Sequence, residues 1–382
     1  MSALVTVKHG HEPHMMAYEA IESVFLDDAK GKKILLKPNA GRKGPAKSAL
    51  CTNPEILRGL IRFFKDKEAG QIFVGDGALT GIDVWEAMES AGITEVCEEE
   101  GAILVNLDDC DPIDKLIPEG IMVDKLRFSS LAFEADIVVS VPVIKTHMYT
   151  GVTLSIKNMK GCLLKKEKMI LHRIDKPCPD ESKGRCLDWG IADMASVLLP
   201  DYAVLDGTTC MEGFGPGAGT QIDLDVVVAS KDPTAADFIG VMLMGMPYDR
   251  IAHLNLVQER CGTAGINDIK VVPEDFMKYS KKFVPADLSA LPNIYPNIGL
   301  IEKGTCSACS AAVMMFLKTY GHQFDQEHKL ILATGRNLCP EDTVRENVYL
   351  VGNCTARNAN GKKYCKGCPP IGSSILAFIK EG

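Results

Sequence analysis

The chain has 382 residues, 46% hydrophobic and 24% charged, enough for a sizeable core divided among two or three domains. A net charge of -8 argues against a general nucleic-acid binder, which usually carries a basic face. No run approaches the roughly 18 apolar residues of a membrane span, and the N-terminal MSALVTVKHGHEPHMM lacks a basic segment followed by an apolar signal core. These features exclude a membrane protein and lead us to expect a cytoplasmic location. Fourteen cysteines without an export signal do not read as a disulfide framework, because cytosolic thiols stay reduced, and they direct attention to metal binding or redox chemistry.

Along the chain, short unalternated apolar runs occur at 34–36 (ILL), 72–74 (IFV), 102–105 (AILV), 136–143 (DIVVSVPV), 203–205 (AVL) and 225–229 (DVVVA). Amphipathic stretches lie between several of them, such as PEILRGLIRFFKDKEAG at 54–70 and VWEAMESAG at 84–92. This order predicts an α/β fold, a mainly parallel sheet covered by helices on both faces, over residues 1–270. The first runs end in LLKPNAG and FVGDGALTG, which bring Lys37, Asn39 and Asp76 to the carboxyl edge of the sheet, where such folds collect ligands.

The segment SVPVIKTHMYTGVTLSIKNMKGC at 140–162 is the most unusual. A strand through Ile144 places Lys145 and His147 on one face. GVTLSIKN reads as a further alternating strand, with Thr153, Ser155 and Lys157 opposite Val152, Leu154 and Ile156. Lys160, Lys165, Lys166, Lys168, His172 and Arg173 follow. KKEK at 165–168 reads as a solvated loop, whereas Lys145, His147, Lys157 and Lys160 flank strand ends and a glycine turn. Their concentration in an acidic chain suggests a pocket for a small anionic substrate, a carboxylate or a phosphate. LDGTTCMEGFGPGAG at 205–219 then supplies Asp206 and Glu212, which are either acid–base groups or carboxylates that cap turns. Its glycines, Gly213 the first, allow a close backbone approach to a ligand, but no GxGxxG opens a helix here.

Residues 271–299 contain four prolines and little periodicity and read as a linker. A small cysteine-rich α/β domain is expected over 300–382, with IGLIEKG, KLILATG and ENVYLVGN as strands and CSACSAAVMMFLKTYG and SSILAFIK as helices. It holds Cys306, Cys309, Cys339, Cys354, Cys365 and Cys368. If its strands are parallel, Cys306 and Cys354 emerge at one carboxyl edge, and Cys365 and Cys368 in YCKGCPP can fold back to it. Thiolates from two CxxC pairs and a strand-end cysteine suit a [4Fe–4S] cluster or a tetrahedral zinc; the alternative is a set of reduced core cysteines. The favoured ligands are Cys306, Cys309, Cys354 and Cys368, with Cys365 in reserve and Cys339 outside the set. Cys178 and Cys186 read as incidental.

The blocks LLKPN, TNPEIL, VGDG, VPVIKTH, TLSIKNMKG, the HR of LHRID, IADM, LDGTTCMEGFGPGAG and the MG of MLMGM resemble, in this order, the family catalogued as domain of unknown function 362. The cysteine-rich tail is similar to that of members described as iron–sulfur proteins. The resemblance implies the cluster rather than zinc, and makes Lys145, His147, Lys157, Asn158, Lys160, His172, Asp206, Glu212 and Gly213 the positions matching the family's motifs. The tail departs from the consecutive CxxCxxCxxxC ferredoxin pattern, which disfavours a two-cluster ferredoxin role. The expected function is an oxygen-sensitive iron–sulfur redox enzyme acting on a small anion, or, with three cysteine ligands and an open iron, a non-redox Lewis-acid enzyme. The rivals are a non-catalytic electron-transfer or maturation partner that docks a redox protein, and a zinc-stabilised metabolic enzyme.

Overall fold

The computed structural model describes residues 2–79, 81–174, 176–286, 294–324 and 329–381. The chain forms two compact units, Met1–Ala286 and Asp287–Gly382. In the first, β1 (Ala3–His9), β2 (Lys33–Pro38), β3 (Gln71–Asp76) and β4 (Ile103–Asn106) alternate with α1 (Pro13–Val24), α2 (Pro54–Asp66), α3 (Val84–Ser90) and α4 (Ile93–Glu100). A side hairpin of β5 (Pro112–Leu116) and β6 (Lys125–Ser129) and the short α5 (Leu131–Glu134) lead into β7 (Ile137–Val141). Beyond Pro142 the chain continues as β8 (Val143–His147), turns back through β9 (Gly151–Thr153) and enters α6 (Ser155–Asn158). Then come α7 (Cys186–Ala195), β10 (Tyr202–Glu212), β11 (Thr220–Ser230), α8 (Pro233–Leu243), α9 (Ala252–Cys261) and β12 (Ile269–Val272).

Among the described residues these strands make a ten-stranded sheet in the order β12-β1-β11-β10-β7-β2-β3-β4, with β8 and β9 branching from β10. The run β10-β7-β2-β3-β4 is parallel throughout, as the unalternated apolar sequences require when both faces are covered. Ile34, Leu36, Val74, Val139 and Val204 point to one face and pack with residues of α1, α2 and α4, including Ile21, Leu60, Phe63, Phe64 and Cys97. Their neighbours Leu35, Val138, Ala203 and Leu205 point to the other and pack with Leu187, Ile191, Phe238 and Leu254 of α7, α8 and α9. The apolar runs are therefore split between two cores by the period of two.

Two expectations are corrected here. The linker expected at 271–299 does not begin at 271, because β12 pairs parallel with β1 and Phe276 and Phe283 are buried in the core beneath α7, α8 and α9. Of the rest, residues 287–293 lie outside the described residues, and 298–299 already belong to a strand. Similarly, GVTLSIKN is strand only as far as Thr153. The Asp237 carboxylate accepts hydrogen bonds from the backbone N–H groups of Ser155 (2.8 Å) and Ile156 (3.0 Å), which caps a helical turn and removes Ser155 and Lys157 from any strand alternation.

The second unit has an all-parallel sheet of β13 (Ile298–Glu302), β14 (Leu330–Thr334), β15 (Val348–Val351) and β16 (Tyr364–Cys365), with α10 (Ser307–Tyr320), α11 (Pro340–Thr343) and α12 (Gly372–Lys380). Among the described residues no helix is long and apolar enough to cross a membrane.

Candidate functional site

The carboxyl ends of the parallel strands in the first unit gather the polar residues singled out above. Lys37 on β2 is 1% exposed and sits 2.5 Å from the Asp76 carboxylate at the end of β3. Its ammonium also donates to the Pro38 carbonyl (2.8 Å) and to Asn158 Oδ1 (3.0 Å). Asn158 returns hydrogen bonds to the Lys37 carbonyl and to Ser140 Oγ, and Asp76 accepts from the backbone N–H groups of Ala40 and Gly77. Lys37, Asp76 and Asn158 thus form a closed brace that ties β2, β3, β7 and α6 together. Gly161 lies against this brace so closely that a Cβ there would run into Asp76 and Lys37.

Asp206 is tied in the same way. One oxygen accepts from Asn53 N–H (2.7 Å), the residue that caps α2, and the other accepts from Thr208 N–H and Oγ1. Burial raises the pKa of this carboxyl group, against the pull of those donors. Glu212 accepts from Val284 N–H (2.8 Å) while Gly213 N–H donates to the Val284 carbonyl (2.7 Å), so both hold the chain segment that follows Phe283. The structure therefore places Asp206 and Glu212 on backbone anchors.

The cationic residues present a different picture. Lys145 on β8 is buried, its ammonium donating to Asn39 Oδ1 (2.6 Å) and the Leu50 carbonyl (2.7 Å). Burial pushes its pKa down to about 7. Lys157, on α6, is likewise pushed down to about 7 by burial, partly offset by Asp188 and reinforced by Lys145 and Arg42. Among the described residues its hydrogen-bond partner is Thr153 Oγ1, at 3.5 Å. His147 is held well below the usual histidine range by burial and by Lys157, His172 and Lys160. Its Nδ1 accepts from the backbone N–H groups of Tyr149 (3.1 Å) and Thr150 (3.3 Å), which leaves the ring proton on Nε2. Lys160 and His172 keep some accessible surface but are pushed in the same direction, each by burial first and then by the other cations. Lys145, His147, Lys157, Lys160 and His172 are thus close enough to oppose one another's charging. The glycine loop borders this group: Gly215 lies on the Thr146 carbonyl, which leaves no room for a side chain there, and Gly217 lies on the Arg42 side chain, which a Cβ would displace.

Three participants were not read from the sequence. Arg42 stands just beyond LLKPNAG. Asp188 lies on α7 shortly before IADM, with its carboxyl pKa raised to about 6 by burial and, among the described residues, no hydrogen bond to its Oδ1. His253 on α9 is fully buried, its Nδ1 3.8 Å from Asp188 Oδ1. None of the three carries a local motif; only the fold brings them in. Lys168, assigned to a solvated loop, is instead buried and paired with Asp108 at 2.5 Å, whereas Lys165 and Lys166 are exposed. The Cys178 thiol donates to the Gly184 carbonyl (3.1 Å) and the Cys186 thiol to the Lys176 carbonyl (3.8 Å).

In the second unit every cysteine named above lies at or just beyond the carboxyl end of a parallel strand. Cys306 is the N-cap residue of α10, and Cys309 sits in its first turn, where the helix dipole favours negative sulfur. Cys354 follows β15, and the three thiols Cys306, Cys309 and Cys354 interact directly. Cys354 is pushed down to about 6, first by a hydrogen bond from the Cys309 thiol and also by the Gly335 N–H, while Cys309 is pushed up by the sulfurs around it. Among the described residues no three His, Cys, Asp or Glu side chains are drawn up as the ligands of a metal ion. The donor set nevertheless fits a thiolate-bound group: all three donors are sulfur, and Cys354 is shifted toward its thiolate by the donors around it. A Cβ on Gly352 would come 3.1 Å from Cys309 Sγ and 3.8 Å from Cys354 Sγ, so the cradle beside the sulfurs exists because that residue is glycine. Cys365 is buried on β16 and Cys368 is exposed; Gly352 N–H donates to the Cys365 carbonyl and Asn353 N–H to that of Gly367, which fixes the YCKGC loop beside Cys354. Cys339 stands apart, its sulfur bonded to Asp342 and Lys303.

The family model described as domain of unknown function (DUF362) matches residues 34–242, more than half of the chain, and takes in Lys37, Asp76, Lys145, His147, Lys157, Asn158, Lys160, His172, Asp188, Asp206 and Glu212 but not His253 or the cysteines of the second unit. The chain belongs to the DUF362 family. Among its relatives is the thylakoid-associated protein sll1697 of Synechocystis sp., 26% identical over 238 residues, or 61% of this chain and 68% of that protein. Solved structures with a similar fold include the lactate racemase apoprotein of Thermoanaerobacterium thermosaccharolyticum, with a TM-score of 0.41 and 16% identity, covering 63% of this chain and 56% of the other. A Thermotoga maritima protein matches with a TM-score of 0.37 and 10% identity over 94% of this chain and 99% of its own. Likeness at that level carries no argument about chemistry; for this DUF362 chain that argument rests on the residues.

Proposed function

We propose that this DUF362 protein is an iron–sulfur enzyme that binds a small anionic substrate, a carboxylate or a phosphate, in the buried cationic group of its first unit. The observation that carries the reading is that Lys145 and Lys157 are buried together with pKa values near 7, opposed by neighbouring cations. A ligand that brings negative charge restores their normal protonation, and water-poor surroundings strengthen each charge-assisted bond. Groups that titrate near neutrality are also the ones suited to moving protons. His147, with Nδ1 occupied by backbone donors, offers an Nε2–H to an anion.

In the second unit, Cys306, Cys309 and Cys354 would hold a [4Fe–4S] cluster, with Cys368, or Cys365 in its place, as the fourth ligand. Bound there, such a cluster supplies one-electron chemistry, or a Lewis-acidic iron if the fourth position stays open. The free thiols suit a reducing compartment, and we place the protein in the cytoplasm. The test is anaerobic purification followed by iron, sulfide and zinc analysis, an absorption spectrum, and calorimetric titration with small carboxylates and phosphate. Iron and sulfide together with anion binding support the enzyme reading. Zinc alone moves the protein to a zinc-stabilised enzyme, and iron without anion binding moves it to an electron-transfer or maturation partner.

A further inference from the structure

We propose that Lys303 and Cys339 are the two ends of an oxidative cross-link, in which a peroxide joins the lysine nitrogen to the cysteine sulfur. The inference lies in the second unit and is independent of the anion-binding reading. The Lys303 ammonium stands 3.4 Å from Cys339 Sγ, and Asp342 holds both partners: its Oδ1 accepts from the ammonium at 2.8 Å and its Oδ2 from the thiol at 2.9 Å. Asp342 is itself fixed, because its Oδ2 also accepts from the Cys339 N–H (2.8 Å) in the capping box that opens α11. The main chain is drawn together beneath the pair. Lys303 directly follows β13 and Cys339 lies just past the end of β14, the two strands pairing in parallel as far as Glu302 and Thr334. Beyond them Lys303 N–H donates to the Thr334 carbonyl (3.2 Å) and Asn337 N–H to the Lys303 carbonyl (3.0 Å). Gly335, at φ +114°, lies so close to the Lys303 carbonyl that a side chain there would collide with it. The approach of nitrogen to sulfur is therefore set by the backbone. An oxidant in solution reaches the pair, since the Lys303 side chain is 46% exposed and Cys339 is half-buried.

The chemistry balances with a hydroperoxide as the oxidant. The Cys339 sulfur attacks one peroxide oxygen; the O–O bond breaks, an S–O bond forms, and the thiol proton passes by way of Asp342 to the departing hydroxide, which leaves as water. Sulfur loses two electrons and the peroxide gains them. Asp342 suits this role: the Cys339 thiol and Lys303 hold it as a carboxylate, and the same contact keeps the proton on sulfur until the S–O bond forms. The Lys303 nitrogen, having given one proton to Asp342, then attacks the sulfenic sulfur. An N–S bond forms, the S–O bond breaks, and hydroxide leaves as water with a second proton from nitrogen. The product is a sulfenamide, the condensation a sulfenic acid also undergoes with a backbone nitrogen, and no further oxidant is consumed. Lys303 lies just before Cys306, and the Gly335 N–H donates to Cys354, so the bond fixes together two loops that flank the clustered thiols.

The full-length protein, purified anaerobically, is treated with hydrogen peroxide in the presence of an iron chelator, its remaining thiols are alkylated, and it is digested with trypsin without reduction for peptide mass spectrometry. The expected product is the peptide carrying Cys339 joined to one that trypsin fails to cut after Lys303, the pair lighter by two hydrogens than its parts and separated again by dithiothreitol. It should be absent from Lys303→Arg and from Cys339→Ser. The uncut lysine distinguishes it from a disulfide between Cys339 and Cys306 or Cys309, which would leave trypsin free to cut there and would persist in Lys303→Arg. Cys339 recovered unmodified, as a sulfinic acid or in a disulfide, with cleavage after Lys303 intact, overturns the proposal. A joined pair that carries an added oxygen overturns the direct nitrogen–sulfur bond.

Discussion

Raising the pH should weaken the binding of a small carboxylate such as lactate, with a slope set by the buried lysines. In the ligand-free protein Lys145 and Lys157 have pKa values of about 7. An anion binds the charged form, so each lysine that is neutral beforehand must take up a proton on binding. A group with a pKa near 7 is about 90% charged at pH 6 and about 10% at pH 8, so each lysine costs about tenfold in affinity across that range and the pair about a hundredfold. Calorimetry at pH 8 in buffers of different ionisation enthalpy should report an uptake of roughly two protons per anion, falling toward none at pH 6. His147 contributes nothing to this slope, because it stays neutral throughout. Affinity that is flat between pH 6 and 8, with no proton uptake, would refute the idea that these lysines meet the ligand. The same linkage acts on folding in the opposite sense. In the unfolded chain the lysines keep their ordinary value of 10.5, so between about pH 7 and 10 the unfolded state binds more protons and the ligand-free protein gains stability as pH rises, by roughly 2 kcal/mol per lysine from pH 7 to 9.

Cys306→Ser, Cys309→Ser and Cys354→Ser should each sharply lower bound iron and sulfide, whereas Cys339→Ser should not; comparing Cys365→Ser with Cys368→Ser by the same analysis identifies the fourth ligand. Asp206→Asn should lower stability by about 1–3 kcal/mol in urea unfolding, because Asn53 N–H and Thr208 lose a charged acceptor, with little change in anion affinity. Lys37→Met should cost about 3–5 kcal/mol by leaving Asp76 buried without its cation, and adding Asp76→Asn should recover part of that loss.

The legible part of this molecule was the part written in short-range pattern. The apolar runs at 34–36, 72–74 and 136–143 are parallel strands, and the residues after them do stand at one edge. The sequence SIKNMKG looked like a strand because apolar and polar residues alternate in it. What decides its shape is Asp237, some eighty residues away, whose carboxylate meets two N–H groups and fixes a helical turn. Arg42, Asp188 and His253 were missed for a related reason: none has a local pattern, and each matters through where the sheet and helices bring it. The proline-rich stretch after 270 illustrates the converse. Prolines marked it as irregular, but a strand edge and two buried phenylalanines keep residues as far as Phe283 in the first unit.

The acidic residues show most clearly why residue type alone misleads at such an edge. Asp76 and Glu212 end strands, Asp206 lies within β10, and all three look like acid–base candidates, yet each is engaged by backbone N–H groups: Ala40 and Gly77, Asn53 and Thr208, and Val284. A carboxylate that accepts such bonds is an anchor, and the charge that Asp206 and Asp76 still offer Lys145 does not outweigh the burial that lowers its pKa. Asp76 is further neutralised by Lys37. Of the remaining cations, Lys157 has Asp188 as its nearby carboxylate, and burial holds even that carboxyl near a pKa of 6. A protein interior does not keep such a concentration of positive charge without compensation: here the lysines shed protons, at the pKa values given above. Whatever supplies negative charge from outside, and so lets them recover those protons, gains affinity from every one of them, which is the physical content of an anion site.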